Sequence, residues 1–179
     1  MLVQMLATRS ARRGLFTLAS GRQSDLYIDA RLTTMSPDGL AIIGPFAIAR
    51  IRARGWHADA VGGLTLGADP VSYAIAHASA LADTPIRAFT VRKEAKAHGT
   101  GKVIEGPFRA GDCVVVIEDV ITTGGSALRA VDAIRAAGGV IVGVLAVVDR
   151  EEGGREALEA AGLSVECLTN AREILAAMG

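Results

Sequence analysis

An acidic pair directly follows an apolar run in the second half of the chain. Glu118 and Asp119 directly follow the residues VVVI at 114–117. Because burying even one unpaired charge is costly, adjacent acids in this position predict a ligand crevice and not a core. Carboxylates accept hydrogen bonds from the vicinal hydroxyls of a ribose or from the water shell of a divalent cation. Two acids that are simply solvated at a strand end are the alternative.

The turn after the acidic pair has the composition of an anion site. Thr122, Thr123 and Ser126 offer hydroxyl donors. Gly124 and Gly125 let backbone N–H groups converge where a helix begins, and the helix dipole favours an anion there. Neither the GxxxxGK[ST] pattern nor GxGxxG is present in this turn. The turn predicts a pocket for a phosphate dianion, and an ordinary strand, turn and helix is the alternative.

A basic segment follows a predicted strand that ends at Val91. Its cationic or titratable residues are Arg92, Lys93, Lys96 and His98. Cations that gather on a leaving diphosphate stabilise the charge that develops in the transition state, and a histidine can exchange a proton near neutral pH. The stretch 92–106 has no regular periodicity, and a loop of this length is usually functional or disordered. A solvated charge run is the commoner meaning of such a segment.

One arginine follows the second long apolar run of the chain, at 140–148. Arg150 is expected at the carboxyl edge of the sheet, near Glu118 and Asp119. A guanidinium binds a carboxylate in a planar, two-pronged way that lysine does not match. An arginine that merely opens a surface loop is the alternative.

The composition argues against several classes of partner. The 179 residues carry 19 Lys plus Arg and 19 Asp plus Glu, so no net charge recruits nucleic acid or an acidic membrane. No apolar run of about 20 residues predicts a membrane span, and the N-terminal charges follow the apolar residues, which is the wrong order for a secretory signal. Cys113 and Cys167 lack a CxxC or histidine partner, so we expect reduced thiols in a cytoplasmic protein.

Periodicity and turn residues predict alternating helices and strands. Helices are expected at 1–13, 40–54 after an N-cap at Ser36, 68–81, 126–137, 155–161 and from 171 onward. Strands are expected as two pieces within 16–32 joined by a turn at 20–24, and at 59–62, 86–91, 113–118, 140–148 and 164–168. This alternation predicts a single α/β domain over 1–179, with a mostly parallel twisted sheet flanked by helices.

Two of these segments resemble a known family. The sequence VVVIEDVITTGGS at 114–126 resembles the phosphoribosyl-diphosphate (PRPP) motif of type I phosphoribosyltransferases. RKEAKAHG at 92–99 resembles the catalytic loop of the orotate phosphoribosyltransferases within that family. The resemblance covers about residues 14–170. It implies the type I phosphoribosyltransferase fold, a small N-terminal hood from about 14–35 and a mobile catalytic loop at 92–106.

The resemblance also implies a role for each matching residue. Asp119, Lys96 and His98 would be catalytic, and Glu118 with Asp119 would hold the ribose hydroxyls. PRPP would be bound by Arg92, Lys93, Lys96, His98, Glu118, Asp119, Val120, Ile121, Thr122, Thr123, Gly124, Gly125 and Ser126. Orotate would be bound by Tyr27, Ile28, Thr122 and Arg150. Mg²⁺ would be held mainly by substrate and water, with no protein metal ligands, and a homodimer would donate the 92–106 loop, Lys93 included, to the partner active site.

The implied reaction joins PRPP and orotate into orotidine 5-phosphate and diphosphate, in de novo pyrimidine (UMP) biosynthesis. The chain departs from the family pattern at Ala19 and Leu66, where many members have a lysine, and Arg22 is the nearest replacement in sequence. His57 and His77 match nothing in the family, so we expect structural roles for both. A purine-type phosphoribosyltransferase and a non-catalytic regulator that senses PRPP are the alternatives.

Overall fold

The first part of the chain forms a small sheet of its own. The computed structural model describes residues 1–17, 23–94 and 103–179. Helix α1 (Leu2–Met5) runs into a π-helical turn at Leu6–Ser10. Strands β1 (Ala11–Thr17) and β2 (Gln23–Ile28) then pair antiparallel, apart from the main sheet. Two paired extended pieces are present as expected, but β1 begins at Ala11, before the expected range of 16–32, and Arg31 and Leu32 begin a helix. Of the turn predicted at 20–24, Gln23 and Ser24 belong to β2, and the rest lies outside the described residues.

The predicted helix over 1–13 is wrong beyond Ser10. Arg12 and Arg13 belong to β1 and pair with residues of β2, and the register shifts before Phe16. Gly14 lies inside this irregularity and does not end a helix. Pairing with a strand more than ten residues away outweighs the local helical rhythm, and such pairing leaves no trace in the spacing of apolar residues.

The rest of the chain alternates helices and strands. In order these are α2 (Arg31–Thr34), α3 (Pro37–Ala53), β3 (Ala60–Leu64), α4 (Ala68–Leu81), β4 (Arg87–Val91), β5 (Ile104–Glu105), β6 (Cys113–Ile121), α5 (Gly125–Ala136), β7 (Val140–Asp149), α6 (Gly154–Ala160), β8 (Val165–Asn170) and α7 (Ala171–Ala177). Helix α3 begins as its cap predicts, because the Ser36 hydroxyl accepts a hydrogen bond from the Gly39 N–H at 3.1 Å. The sequence did not indicate α2 and β5, which are too short for a periodic pattern.

The main sheet confirms the predicted α/β architecture. Within the described residues it has six strands in the order β5-β4-β3-β6-β7-β8, and only the β4–β5 pair is antiparallel. The chain enters the sheet at β3, adds β4 on one side and then crosses to β6 on the other. Ligand crevices form beyond the carboxyl ends of parallel strands at such a reversal.

The two faces of the sheet bury separate cores. Val115 and Ile117 of β6 pack in one cluster with apolar residues of α1, α3, α4 and α7. Val114 and Val116 point to the opposite face and pack with residues of α5 and α6. This alternation follows from the two-residue period of a strand, and it explains why the run at 114–117 is apolar without interruption. The two cores hold β6 rigidly up to the acidic pair.

Other expectations concern the thiols, the histidines and membranes. Cys113 and Cys167 are free, and burial raises the pKa of Cys167 to about 12, so this thiol stays protonated. His57 and His77 are both exposed. Of the helices in the described ranges, none combines the length and apolar character needed to cross a membrane.

Candidate active site

A cavity of about 340 Å³ opens where β3 and β6 separate. The pairing of these strands stops at Gly62 and Val116, whereas β6 continues beside β7 as far as Ile121. The described residues around the cavity come from 27–31, from 64–67, from Lys93, from 118–126 and from Arg150. The cavity therefore lies at the carboxyl ends of β3 and β6, where the reversal of strand order predicts a crevice.

The acidic pair forms one wall of this cavity. The side chain of Glu118 is buried, and that of Asp119 is half-buried. Burial, and next the charge of Asp119, raises the pKa of Glu118 to about 8. Burial also raises the pKa of Asp119, whose Oδ1 accepts a hydrogen bond from the Val120 N–H at 2.9 Å. Two carboxyls with raised pKa values favour a ligand that brings hydroxyl donors or positive charge.

The turn between β6 and α5 adds the start of a helix to the same wall. Gly124 caps α5 with a left-handed φ of 79°, and a Cβ there would lie 2.9 Å from the carbonyl oxygen of Gly154. The position therefore requires glycine for both its backbone angle and its space. Thr122 and Ser126 line the cavity on either side of this turn. The first N–H groups of a helix lack intrahelical acceptors, so the turn is suited to an anion.

Arg150 is a buried arginine that joins the cavity to β2. One of its terminal nitrogens donates hydrogen bonds to the Ser24 hydroxyl at 3.0 Å, the Leu26 carbonyl at 2.9 Å and the Glu152 carboxylate at 2.6 Å. Its Nε atom is also buried and has no hydrogen-bond partner among the described residues. A buried N–H without an acceptor costs free energy, so a ligand carboxylate would be favoured there.

Comparison with known proteins identifies the family. Residues 36–171 match the family described as phosphoribosyl transferase domain. An orotate phosphoribosyltransferase of Aquifex aeolicus is 45% identical over 174 residues, which is 97% of this chain and 94% of the relative. The chain belongs to the orotate phosphoribosyltransferase family.

Solved structures of Mycobacterium tuberculosis H37Rv orotate phosphoribosyltransferase share the fold. The complex with PRPP has a TM-score of 0.81 and 41% identity, covering 97% of this chain and 96% of that chain. The complex with inorganic phosphate has a TM-score of 0.83 and 42% identity, covering 97% of this chain and 95% of that chain. The type I phosphoribosyltransferase fold expected from the sequence is confirmed.

Many of the residues expected in an orotate phosphoribosyltransferase site do meet at the cavity. Those that line it are Tyr27, Ile28, Lys93, Glu118, Asp119, Val120, Thr122, Ser126 and Arg150. They come from positions up to more than a hundred residues apart, so the fold brings together residues that the sequence analysis predicted as separate motifs. Lys96 and His98 lie outside the described residues, as do Ala19 and Arg22.

Some expected site residues are placed elsewhere. Ile121 is 1% exposed and packs in a core cluster, so its side chain is not available to PRPP, and its carbonyl accepts the Arg150 N–H at 2.9 Å. The guanidinium of Arg92 lies 3.7 Å from Glu105 and is not among the residues described around the cavity. Thr123, an exposed residue, is not among them either, nor are the two glycines of the turn, which can contribute only backbone groups.

One sequence-based expectation needs correction. The strand expected over 113–118 continues to Ile121, because β6 stays paired with β7 through Asp149. Asp119 thus belongs to the strand together with Glu118 and does not follow it. Lys93 lines the cavity of its own chain, since it comes two residues after β4, which pairs with β3, and its expected role in the partner's site stays a prediction.

The structure also adds residues that the sequence reasoning missed. Asp29 and Arg31 line the cavity from the segment after β2. The ring of Phe16 packs beside that of Tyr27, with centroids 5.4 Å apart, so a second aromatic supports the ring at the cavity. The alternation of side chains along β1 could have indicated that Phe16 packs beside Tyr27, but only if the pairing of β1 with β2 had been known. Nothing in the sequence distinguished Arg31 from the other exposed arginines.

Replacing Glu118 with glutamine should change how stability depends on pH. The pKa of Glu118 is about 8 in the folded chain and near 4.5 when unfolded, so its contribution to stability is fully present below about pH 4.5. This contribution is lost as pH rises through about 8. The free energy of unfolding should fall more over this window for the natural protein than for Glu118→Gln. Urea denaturation of both proteins at several pH values measures the difference, and parallel curves would contradict the raised pKa.

Gly67→Ala should displace Asp119 without affecting the turn at 122–126 (the phosphate turn). A Cβ at Gly67 would press against the Asp119 carboxylate, while the residue's φ of −63° suits alanine. We expect the KM for PRPP to rise about tenfold, since misplaced catalytic groups are costly. Binding of inorganic phosphate should stay unchanged, because the turn at 122–126 is not touched. An unchanged KM for PRPP would show that the position of Asp119 does not matter.

Proposed function

We propose that this protein transfers the 5-phosphoribosyl group of PRPP to orotate and releases diphosphate. The observation that carries the proposal is that the acidic pair, the phosphate turn and Arg150 surround one cavity. The names of its relatives agree with both substrates, since those relatives are orotate phosphoribosyltransferases and one of their solved structures contains PRPP. The product with orotate is orotidine 5-phosphate, a precursor of UMP in pyrimidine biosynthesis.

The ribose 5-phosphate part of PRPP is assigned to β6 and the turn after it. Glu118 and Asp119 accept hydrogen bonds from the ribose hydroxyls. The pKa values of both carboxyls are raised, so ionising them without a ligand is costly, and the hydroxyl donors of the ribose stabilise their charged forms. The N–H groups at the start of α5 bind the 5-phosphate, with hydroxyl donors from Thr122 and Ser126. These contacts fix the position of C1 of the ribose.

Orotate is assigned to the part of the cavity between β2 and Arg150. Tyr27 and Ile28 provide a flat, apolar surface for the ring, and Phe16 stiffens it. The unpartnered Nε of Arg150 is suited to the orotate carboxylate, because a guanidinium N–H forms a strong, charge-assisted hydrogen bond with a carboxylate. Thr122 contacts the same ring. Arg150 thus selects for a base that carries a carboxylate.

The reaction needs no covalent bond between protein and substrate. The N1 nitrogen of orotate loses its proton to water and forms a bond with C1 of the ribose as the bond from C1 to the diphosphate oxygen breaks, and the electron pair of the broken bond leaves with the diphosphate. The protein holds both reactants in line and places positive charge where the leaving group gains negative charge. Lys96 and His98, in the segment 92–106, are assigned to the diphosphate through the family resemblance.

The proposed cofactor is Mg²⁺, bound together with PRPP. Among the described residues, no cluster of three or more His, Cys, Asp or Glu side chains could hold a metal. Glu118 and Asp119 are a donor pair that fits a hydrated Mg²⁺, which takes only one or two carboxylates and otherwise substrate oxygens and water. When bound, the ion neutralises part of the diphosphate charge.

The proposed assembly is a cytoplasmic homodimer of single-domain subunits, in which β1, β2 and α2 form the hood and the 92–106 loop reaches the partner active site. Large apolar side chains stand exposed on α3 and α4, where Phe46 is 49% and Tyr73 54% exposed. Exposed apolar side chains of this size are commonly covered in an oligomer. Mass measurement in solution tests the dimer directly.

Product analysis tests the proposed reaction. With PRPP, orotate and Mg²⁺, orotate should disappear in step with the release of one diphosphate and the appearance of orotidine 5-phosphate. Diphosphate release without orotate consumption would mean that the protein only hydrolyses PRPP. Omitting the metal should abolish turnover, and full activity in the presence of a chelator would exclude Mg²⁺ as cofactor.

A further inference from the structure

Three cationic residues line the cavity among the described residues, namely Arg31, Lys93 and Arg150. Arg150 is already engaged with Ser24, Leu26 and Glu152. Lys93 begins the basic segment already assigned to the leaving group. Arg31 differs from both, because it is the first residue of α2 and takes no part in the contacts proposed for orotate or for the 5-phosphate.

The side chain of Arg31 is held in place by Asp29. Its Nε donates to one carboxylate oxygen at 2.8 Å and a terminal nitrogen donates to the other at 3.0 Å. The backbone N–H of Arg31 also donates to Asp29, at 3.2 Å. An exposed ion pair between residues two apart contributes little to folding, so stability alone does not explain a guanidinium fixed at this position. Arginine has five N–H donors, and Asp29 occupies one edge of the fork.

The position of Arg31 relative to Asp119 indicates which ligand group it meets. Arg31, the first residue of α2, and Asp119 of β6 line the same cavity. Asp119 is assigned to the ribose hydroxyls, and the diphosphate of PRPP leaves from C1, beside the 2-hydroxyl. A cation close to Asp119 is therefore close to the diphosphate. The 5-phosphate and the orotate carboxylate have their own donors at the phosphate turn and at Arg150.

We propose that Arg31 binds the diphosphate of PRPP and supplies the positive charge that the family lysines at Ala19 and Leu66 would otherwise bring. Leu66 lines the same cavity as Arg31, so the charge missing from the loop between β3 and α4 is provided by the first residue of α2. Asp29 is then a positioning residue, which holds the guanidinium ready before PRPP arrives. This role rests on the PRPP part of the proposed function, since PRPP is the substrate that carries the diphosphate.

Binding of inorganic diphosphate tests this role without requiring turnover. Arg31→Gln removes the charge at similar size, and titration calorimetry with diphosphate and Mg²⁺ should show affinity reduced about tenfold or more, the usual scale for a lost charge-assisted hydrogen bond. Affinity for ribose 5-phosphate and the KM for orotate should stay within about twofold. The KM for PRPP should rise in parallel with the loss of diphosphate affinity. Arg31→Lys, which keeps the charge, should recover part of the affinity.

Arg12→Gln provides the matched control. Arg12 is an exposed arginine of β1 that is not among the residues described around the cavity, so its loss changes the net charge equally. A similar weakening in Arg12→Gln and Arg31→Gln would mean that only net charge matters and would overturn the assignment. So would unchanged diphosphate affinity in Arg31→Gln, or an equal loss of ribose 5-phosphate affinity. Thermal unfolding of each variant shows that it is folded.

The same experiment separates this inference from the proposed reaction. If the natural protein converts orotate but Arg31→Gln binds diphosphate normally, Arg31 has no such role and the reaction stands. If the natural protein binds diphosphate through Arg31 but does not convert orotate, the assignment of the base fails while that of Arg31 stands. If the natural protein does not bind diphosphate at all, the assignment of Arg31 is wrong, and product analysis decides the reaction separately.

Discussion

Replacing Lys96 with alanine should lower turnover by about 10²-fold to 10³-fold, the range seen when one preorganised donor to a developing anion is lost. The diphosphate gains charge as its bond to C1 breaks, so a cation that meets it mainly in the transition state affects kcat more than binding. Ribose 5-phosphate binding and thermal unfolding should be unchanged. Lys102→Ala removes another lysine of the same segment, outside the family motif, and should leave turnover nearly normal. Near-normal turnover in Lys96→Ala would overturn the role given to the segment.

Mixing two inactive variants tests whether this segment acts in the partner subunit. In a dimer of Lys96→Ala with Arg150→Ala, one site would combine the intact Arg150 of its own subunit with the intact segment of the other. Equal mixing should restore about a quarter of the natural activity, because half the dimers are mixed and each has one complete site. No recovery after verified subunit exchange would show that the segment serves its own subunit, as the position of Lys93 beside its own cavity already allows.

Replacing Arg150 should abolish efficient use of orotate. Its side chain is only 5% exposed and its Nε lacks a partner among the described residues, so a ligand carboxylate would gain a charge-assisted bond in a water-poor setting. We expect Arg150→Ala to lower kcat/KM for orotate by about 10²-fold or more. Arg150→Lys should lower it nearly as much, since lysine lacks the planar fork.

Controls must separate binding from folding in these variants. Arg150 also holds β2 and Glu152, so its loss should reduce stability, and ribose 5-phosphate affinity must be measured alongside turnover. Arg172→Ala removes an arginine from the neighbouring ion pair with Glu151 and should leave orotate kinetics unchanged. Unchanged kcat/KM for orotate in Arg150→Ala would show that the carboxylate is bound elsewhere.

The architecture could be predicted from the sequence because its signals are local. Continuous apolar runs such as 114–117 mark strands buried on both faces, and Ser36 marks the start of α3 through a cap that involves only its own turn. The helix predicted over 1–13 is too long because the pairing of Arg12 and Arg13 with β2 depends on residues distant in sequence. Helical rhythm cannot report on such pairing.

The site could be predicted only where a residue type is unusual for its position. Glu118 and Asp119 were found because carboxylates rarely follow an apolar run, and Arg150 because it ends one. Arg31 was missed because an arginine after a short strand is ordinary, and only its placement beside Asp119 distinguishes it. The orotate assignment came from family resemblance, since spacing alone indicates an anion and a carboxylate without naming the base.

Base selectivity is the most direct test of the proposed function. The purified protein should be assayed with PRPP and Mg²⁺ against orotate, uracil, adenine and hypoxanthine, with diphosphate release as the common readout. Orotate should be used at least about 10³-fold more efficiently than the others, because only orotate carries a carboxylate for Arg150. Turnover of a purine without turnover of orotate would contradict the proposed function.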